Sequence, residues 1–343
     1  MLELRHIALK LLWRLLLVAA LVIGFNQLYS AYFWEDDLDI HAPMLPNLLA
    51  MQDTCDVLYF GESSNFTTAS VDTNKASISE MINAGTDLNV GTINHGAYHA
   101  GMYLPLIKQI TSERVKTIIV TLNLRTFGQD VIHGGSESHL QKAARFYEPQ
   151  PPLLNRTLAA LSFYDDKSSH ERDQLKWHDW TYDTLKSSVD SISFPTNTIR
   201  RWCEVVKFPD SNGIEDMTKR PLADHYVKVY GFRIQEGNPM LLWMDEIHSY
   251  CLENGYRLIF NLMAENTQDA EAYIGKNLVW LMGVNRSMLV RRYERFGATV
   301  VDNLEAIDAE HFVDRATFPT EHYDQIGRQI IANNVLKALN TSK

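Results

Sequence analysis

Cysteine is scarce: Cys55, Cys203 and Cys251 are the only three in 343 residues. So small and odd a number excludes a disulfide scaffold, and no pair has zinc-type spacing. At least two of them are expected to be buried apolar thiols, with a Cys203–Cys251 bridge left open. Positive charge is also in deficit, with 32 Lys and Arg against 42 Asp and Glu and a net charge of −10. Phosphate backbones are held by concentrated basic surface, so nucleic acid is not expected as a partner. Internal repeats and low-complexity tracts are missing. What remains is ordinary: 45% apolar and 22% charged residues. That balance excludes a disordered, collagen-like or polytopic membrane chain, and the length fits one large domain or two small ones.

One long apolar run stands out, at the N-terminus. Residues 1–14 carry Arg5, Lys10 and Arg14 against the single acid Glu3. Leu15–Trp34, LLLVAALVIGFNQLYSAYFW, then has no charge at all. As a helix it would span about 30 Å, the thickness of a bilayer core. Asn26 and Gln27 interrupt it, while Tyr29, Tyr32, Phe33 and Trp34 form an aromatic belt of the kind found at membrane interfaces. Glu35, Asp36, Asp37 and Asp39 follow. Bases before and acids after predict a cytoplasmic N-terminus, with the remainder outside, periplasmic or extracellular. No A-x-A cleavage signal is evident, so 15–34 reads as an uncleaved signal anchor of a single-pass protein. The alternative is a buried amphipathic helix.

Residues 35–53, with Pro43 and Pro46, read as a linker, and 54–343 as the main domain. Asp56–Phe60 (DVLYF) is a short apolar run closed by Gly61, as in a buried parallel strand. Further strands are expected at Leu88–Ile93, Val115–Leu122, Arg257–Met263 and Ala298–Val301. Helices are expected at Ser77–Ala84, Met102–Glu113, Pro239–Asn254, Leu278–Phe296 and Tyr323–Leu339. The alternation argues for an α/β fold, a three-layer α/β/α sandwich with a mostly parallel sheet. Residues 127–237 break the rhythm and read as a largely helical insertion holding Trp177, Trp180 and Trp202.

The first strand runs into Gly61-Glu62-Ser63-Ser64-Asn65. This sets Ser63 at the carboxyl edge of the sheet, where open α/β sheets bind ligands. Near the other end, Pro319-Thr320-Glu321-His322-Tyr323-Asp324-Gln325-Ile326-Gly327 leads into the last helix. A histidine there, five residues before a glycine, resembles the closing motif of the GDSL/SGNH hydrolase family. FGESS resembles that family's first block, with Gly-Glu-Ser for Gly-Asp-Ser. Asn94-His95-Gly96 and Gly101 fall where the family keeps its second-block glycine, and Thr121-Leu122-Asn123-Leu124-Arg125 where it keeps Gly-x-Asn-Asp. The similarity runs from about Asp53 to Lys343 apart from the insertion. It is nearest to the family's membrane-anchored branch, whose members serve cell-surface polymer acylation.

The resemblance implies a flavodoxin-like SGNH fold and an esterase or O-acyltransferase with an acyl-serine intermediate. Ser63 would be the nucleophile and His322 its base, because a serine hydroxyl needs a nearby base and imidazole titrates in the right range. Oxyanion donors would be the Ser63 and Gly101 backbone N–H groups and a third-block side chain, Asn123 or alternatively Arg125. The family's aspartate, three residues before its histidine, is replaced by Pro319. Glu321, Asp314 or no acid at all could complete the triad, and a Ser–His dyad is chemically sufficient. Expected partners are the membrane, an acylated surface glycan or polymer, and a membrane-embedded acyl-transfer protein. No cofactor and no metal are expected. His95 and His99 stand four apart on a glycine-containing loop without an obvious third ligand. The departures from the motifs leave a second possibility, a non-catalytic binding or assembly factor for surface polysaccharide. Asn65, Asn155 and Asn285 head glycosylation sequons, a pattern frequent by chance.

Overall fold

A computed structural model describes residues 2–96, 98–134, 137–161, 167–182, 196–209, 211–313, 315 and 320–341. The chain divides into two compact units, Met1–Pro46 with Ser138–Asp166, and Asn47–Glu137 with Lys167–Lys343. The stretch expected as one insertion, 127–237, is thus shared between them.

The larger unit is built on five parallel strands: β1 (Val57–Gly61), β2 (Val90–Asn94), β3 (Thr117–Leu122), β4 (Arg257–Leu262) and β5 (Thr299–Asp302). Their order is β2-β1-β3-β4-β5, the doubly wound flavodoxin-like order. Register places Val57 opposite both Val90 and Thr117, Thr117 opposite Arg257, and Ile259 opposite Thr299. All residues of β1 and β3 are buried, which is why they read as unbroken apolar runs rather than alternating ones.

Side-chain alternation then splits each strand between two helical layers. Val57, Tyr59, Ile119 and Ile259 face Ile78, Ile82, Ile331 and Val335, from the Ile78–Ala84 and Gln325–Asn340 helices. On the other face Phe60 meets Tyr103 of the Ala100–Ile107 helix, and Phe260 meets Tyr293 of the Lys276–Arg295 helix. The result is the expected α/β/α sandwich. Helix ends follow local chemistry: Ser77 and Glu80 form a reciprocal capping box, and Asp324 caps the last helix through Ile326 and Gly327. All three cysteines are free and buried, and burial pushes the Cys203 and Cys251 thiols up to about 12. The sequon asparagines Asn65, Asn155 and Asn285 are buried as well.

In the smaller unit Leu2–Tyr32 is one continuous helix. Its Arg5–Tyr32 stretch contains an 18-residue window of mean hydropathy 2.2 with no buried residue, and is long and apolar enough to cross a membrane. Two short helices follow, Trp34–His41 and Met44–Met51, the second continuing past Pro46 into the larger unit. Pro46 falls in the first turn of the second, where a missing N–H costs nothing. The Glu137–Tyr147 and Pro152–Leu161 helices complete this unit.

Candidate active site

β1 is the strand at which the sheet order reverses, and its carboxyl end is the expected place for chemistry. Gly61 closes it. A Cβ at Gly61 would run into Asn94 Oδ1 and come within 2.9 Å of Tyr59 Cε1 and 3.1 Å of Asn65 Cβ, so glycine leaves room here for the Asn94 side chain to reach Asn65. Ser63 opens the short Ser63–Phe66 helix. Asn65 holds that helix in place. Its Nδ2 donates to Asn94 Oδ1 (2.8 Å) and Ser79 Oγ (2.9 Å), and its Oδ1 accepts from Ser79 N (2.9 Å).

His322 lies on the loop before the last helix, and its Nε2 is 3.2 Å from Ser63 Oγ across 259 residues of sequence. A strap binds the segment after Ser63 to the segment carrying His322. Arg328 is fully buried. Its guanidinium donates to Asp72 Oδ2 (2.9 Å) and to the carbonyls of Thr67, Asn74, Ala76 and Tyr323. Asp72 Oδ1 accepts from Gln325 N (3.1 Å). Gln325 Oε1 in turn accepts from the N–H groups of Thr73 and Asn74.

Each residue of the Ser–His pair is preceded by an inward-turned glutamate. Glu62 is 2% exposed and Glu321 not at all. Asn123, at the end of β3, joins them: its Nδ2 donates to Glu62 Oε1 (2.8 Å) and to Glu321 Oε2. Arg125 Nε pairs with Glu321 Oε1. A third buried carboxylate, Glu265, lies just past β4 and accepts from Tyr230 OH.

Three buried carboxylates therefore lie in the field of one guanidinium, which pairs with Glu321 alone among them, and their charges conflict. Burial, reinforced by the Glu321 charge, pushes Glu62 up to about 7, against the opposing pull of Arg125, Asn123 and Ser64. Burial and then Glu321 likewise raise Glu265 well above the ordinary glutamate value. Burial opposes the Arg125 charge, but Glu321 and Glu62 outweigh it and hold the guanidinium firmly protonated.

Ser63 and His322 thus stand together. The Glu321 carboxylate is bound by Asn123 and Arg125, and Asp314 lies outside the described residues. The Asn123 amide has both hydrogens committed to glutamates. Gly101 N–H is donated to His99 Nδ1 (3.1 Å), whose ring stacks on Trp243. Among the described residues no three His, Cys, Asp or Glu side chains gather as metal ligands. Sequence reasoning missed Glu265, Tyr230, Asp72 and Arg328. Glu265 carried a usable signal, since it follows a buried strand at the same sheet edge as Ser63.

Among solved structures, the chain is similar to an extracellular lipase from Streptomyces rimosus. The two are 11% identical over 84% of this chain and 100% of the lipase, with a TM-score of 0.39. No family model matches the sequence, and no curated protein does.

Proposed function

We propose that this chain is a membrane-anchored serine esterase or O-acyltransferase of SGNH type, acting on acyl esters of a cell-surface glycan or polymer. The observation that carries the proposal is the 3.2 Å approach of His322 Nε2 to Ser63 Oγ at the carboxyl edge of β1. In the first step His322 takes the Ser63 proton while Oγ attacks the acyl carbonyl carbon. The tetrahedral intermediate collapses, the alkoxide leaves with the proton from His322, and an acyl-Ser63 ester remains. Water or a glycan hydroxyl then attacks that ester, with His322 again as base and afterwards as acid.

The Ser63 N–H belongs to a first helical turn and so lacks an intrahelical acceptor, which makes it the first oxyanion donor. Gly101 N–H and the Asn123 amide would join it once substrate draws them from His99 and from a glutamate. Catalytic hydrogen bonds commonly tighten only in the complex. Arg125, Glu62 and Glu321 act in this scheme as positioning residues that set the Ser63–His322 approach. The apolar Arg5–Tyr32 helix supports the anchor, with the N-terminus cytoplasmic and the larger unit outside.

The test is turnover of p-nitrophenyl acetate by the full-length chain in detergent. Release of p-nitrophenol should fall to background in Ser63→Ala and in His322→Gln. Equal turnover in all three proteins would overturn the proposal.

A second reading, a non-catalytic binding or assembly factor for surface polysaccharide, is favoured by one feature: the third-block side chains Asn123 and Arg125 are bound to glutamates. On that reading Ser63→Ala leaves the cellular role intact, whereas on the first it abolishes it.

A further inference from the structure

Two polar side chains of the anchor helix have partners beyond it: Tyr29 OH donates to Asp37 Oδ2 (2.5 Å), and Asn26 reaches a second helix. Asn26 Oδ1 accepts from Leu153 N–H at 3.0 Å. Leu153 stands in the first turn of the Pro152–Leu161 helix, where backbone donors have no intrahelical acceptor. The contact therefore satisfies two groups that hydrocarbon would penalise. Other contacts fix the same helix beside the end of the anchor. Arg156 pairs with Asp37 (2.9 Å), and Phe146, just before it in the chain, stacks on Trp34 and His41.

These contacts set a depth. Asn26 precedes Tyr29, the first residue of the aromatic belt, by three positions, or about 4.5 Å of helix axis toward the bilayer. The start of the 152–161 helix lies at that level. Its inward face is Asn155 and Ala159, both buried. At 100° per residue, Leu154, Leu158 and Leu161 share a different face. On it Leu154 is 45% and Leu161 55% exposed, and Leu158 is half-buried. An exposed leucine stripe at the depth where headgroups give way to acyl chains matches an interfacial amphipathic helix.

We propose that the Pro152–Leu161 helix is a second membrane-contacting element, lying in the interfacial layer beside the anchor with Leu154, Leu158 and Leu161 toward lipid. The occupant of this face is the bilayer, because the Leu153–Asn26 contact holds the start of the helix against the membrane-crossing segment, on the bilayer side of the aromatic belt. The inference rests on the anchor reading above. Arg156 keeps its charge at the aqueous side through Asp37, as long basic side chains do at membrane boundaries.

The test uses the full-length chain in phosphatidylcholine–phosphatidylglycerol vesicles, with an environment-sensitive nitrobenzoxadiazole probe at Leu154→Cys, Leu161→Cys, Leu16→Cys or Val71→Cys. Val71 is 84% exposed in the larger unit and serves as the aqueous reference. The expected result is blue-shifted emission at 154 and 161, quenched by nitroxide-bearing lipid and protected from aqueous iodide, with the opposite pattern at 71. Iodide quenching at 154 and 161 like that at 71 would overturn the inference. Protection from both quenchers would overturn it too, by pointing to a protein on that face. Lipid contact at Leu16 without contact at 154 and 161 defeats this inference alone, whereas its loss at Leu16 defeats the anchor as well.

Discussion

Glu62 and Glu321 are 259 residues apart, and their carboxylates meet at a single nitrogen, Nδ2 of Asn123. Since Ser63 follows one and His322 the other, this amide ties together the backbones that carry the proposed nucleophile and base. Removing it in Asn123→Ala takes away the donor the two buried carboxylates share, leaving Glu62 with only the long Ser64 hydroxyl contact (3.4 Å) and Glu321 with Arg125. The expected cost is about 3–5 kcal/mol of stability. Where the variant still folds, ester turnover should drop about 100-fold through kcat, from misplacement of the pair. Thermal melts and steady-state kinetics measure both. Asn123→Asp should be worse than Asn123→Ala at neutral pH, because it adds a fourth acid to the cluster.

Glu62 makes the pH dependence of stability distinctive. Its folded value near 7 exceeds the ordinary value of 4.5, so between those values the folded chain holds the extra proton. Stability must then fall as pH rises through that window. Glu62→Gln should lessen this slope, the raised Glu265 keeping its own share, and leave a difference on the order of 1–3 kcal/mol at pH 7. Denaturant midpoints taken from pH 4.5 to 7.5 on both proteins give the comparison.

The strap titrates the other way. Although burial raises it, Asp72 is held below its ordinary value of 3.8 by Arg328 and by the N–H groups of Gln325 and Ala69. Its contribution is present above that value and is lost as acid protonates the carboxylate through the lower folded value. Asp72→Ala leaves a fully buried guanidinium unpaired and should cost about 3–5 kcal/mol. Arg328→Lys should not rescue the strap, because one ammonium cannot replace a fork that reaches five acceptors. Thermal melts of both variants provide the check.

Gly61→Ala probes the strand end. The new methyl group collides with Asn94 Oδ1, which must release Asn65 and with it the Ser63 helix. The expected destabilisation is about 1–3 kcal/mol, with ester turnover reduced more than stability alone explains. Turnover compared with circular dichroism at one temperature separates the two.

The local part of this architecture was legible from residue order. Asp56–Phe60, Val115–Leu122 and Arg257–Met263 announce themselves as apolar runs with turns behind them, and each contains a strand to within a residue or two. The elements missed depend on tertiary context. The Thr267–Ile274 helix is short and weakly patterned. Pro46, read with Pro43 as part of a linker, falls in the first turn of the Met44–Met51 helix. The Asn26 interruption made sense only beside Leu153, more than a hundred residues away. The Glu62–Asn123–Glu321–Arg125 cluster is assembled from two strand ends and the loop before the last helix, and no local rule pairs a glutamate with an asparagine at such distance. The fate of Asn123 and Gly101, whose donors meet Glu62 and His99, likewise follows from packing rather than from motif.

The most direct measurement is phosphonylation of the full-length chain by a fluorophosphonate, with the adduct mapped by mass spectrometry. Attack by an activated serine expels fluoride and leaves one stable phosphonyl group per chain. The expected result is a single adduct on Ser63, absent in Ser63→Ala and formed about 100-fold or more slowly in His322→Gln. An unlabelled Ser63 in folded protein, or labelling unchanged by His322→Gln, would contradict the pairing of these two residues as nucleophile and base.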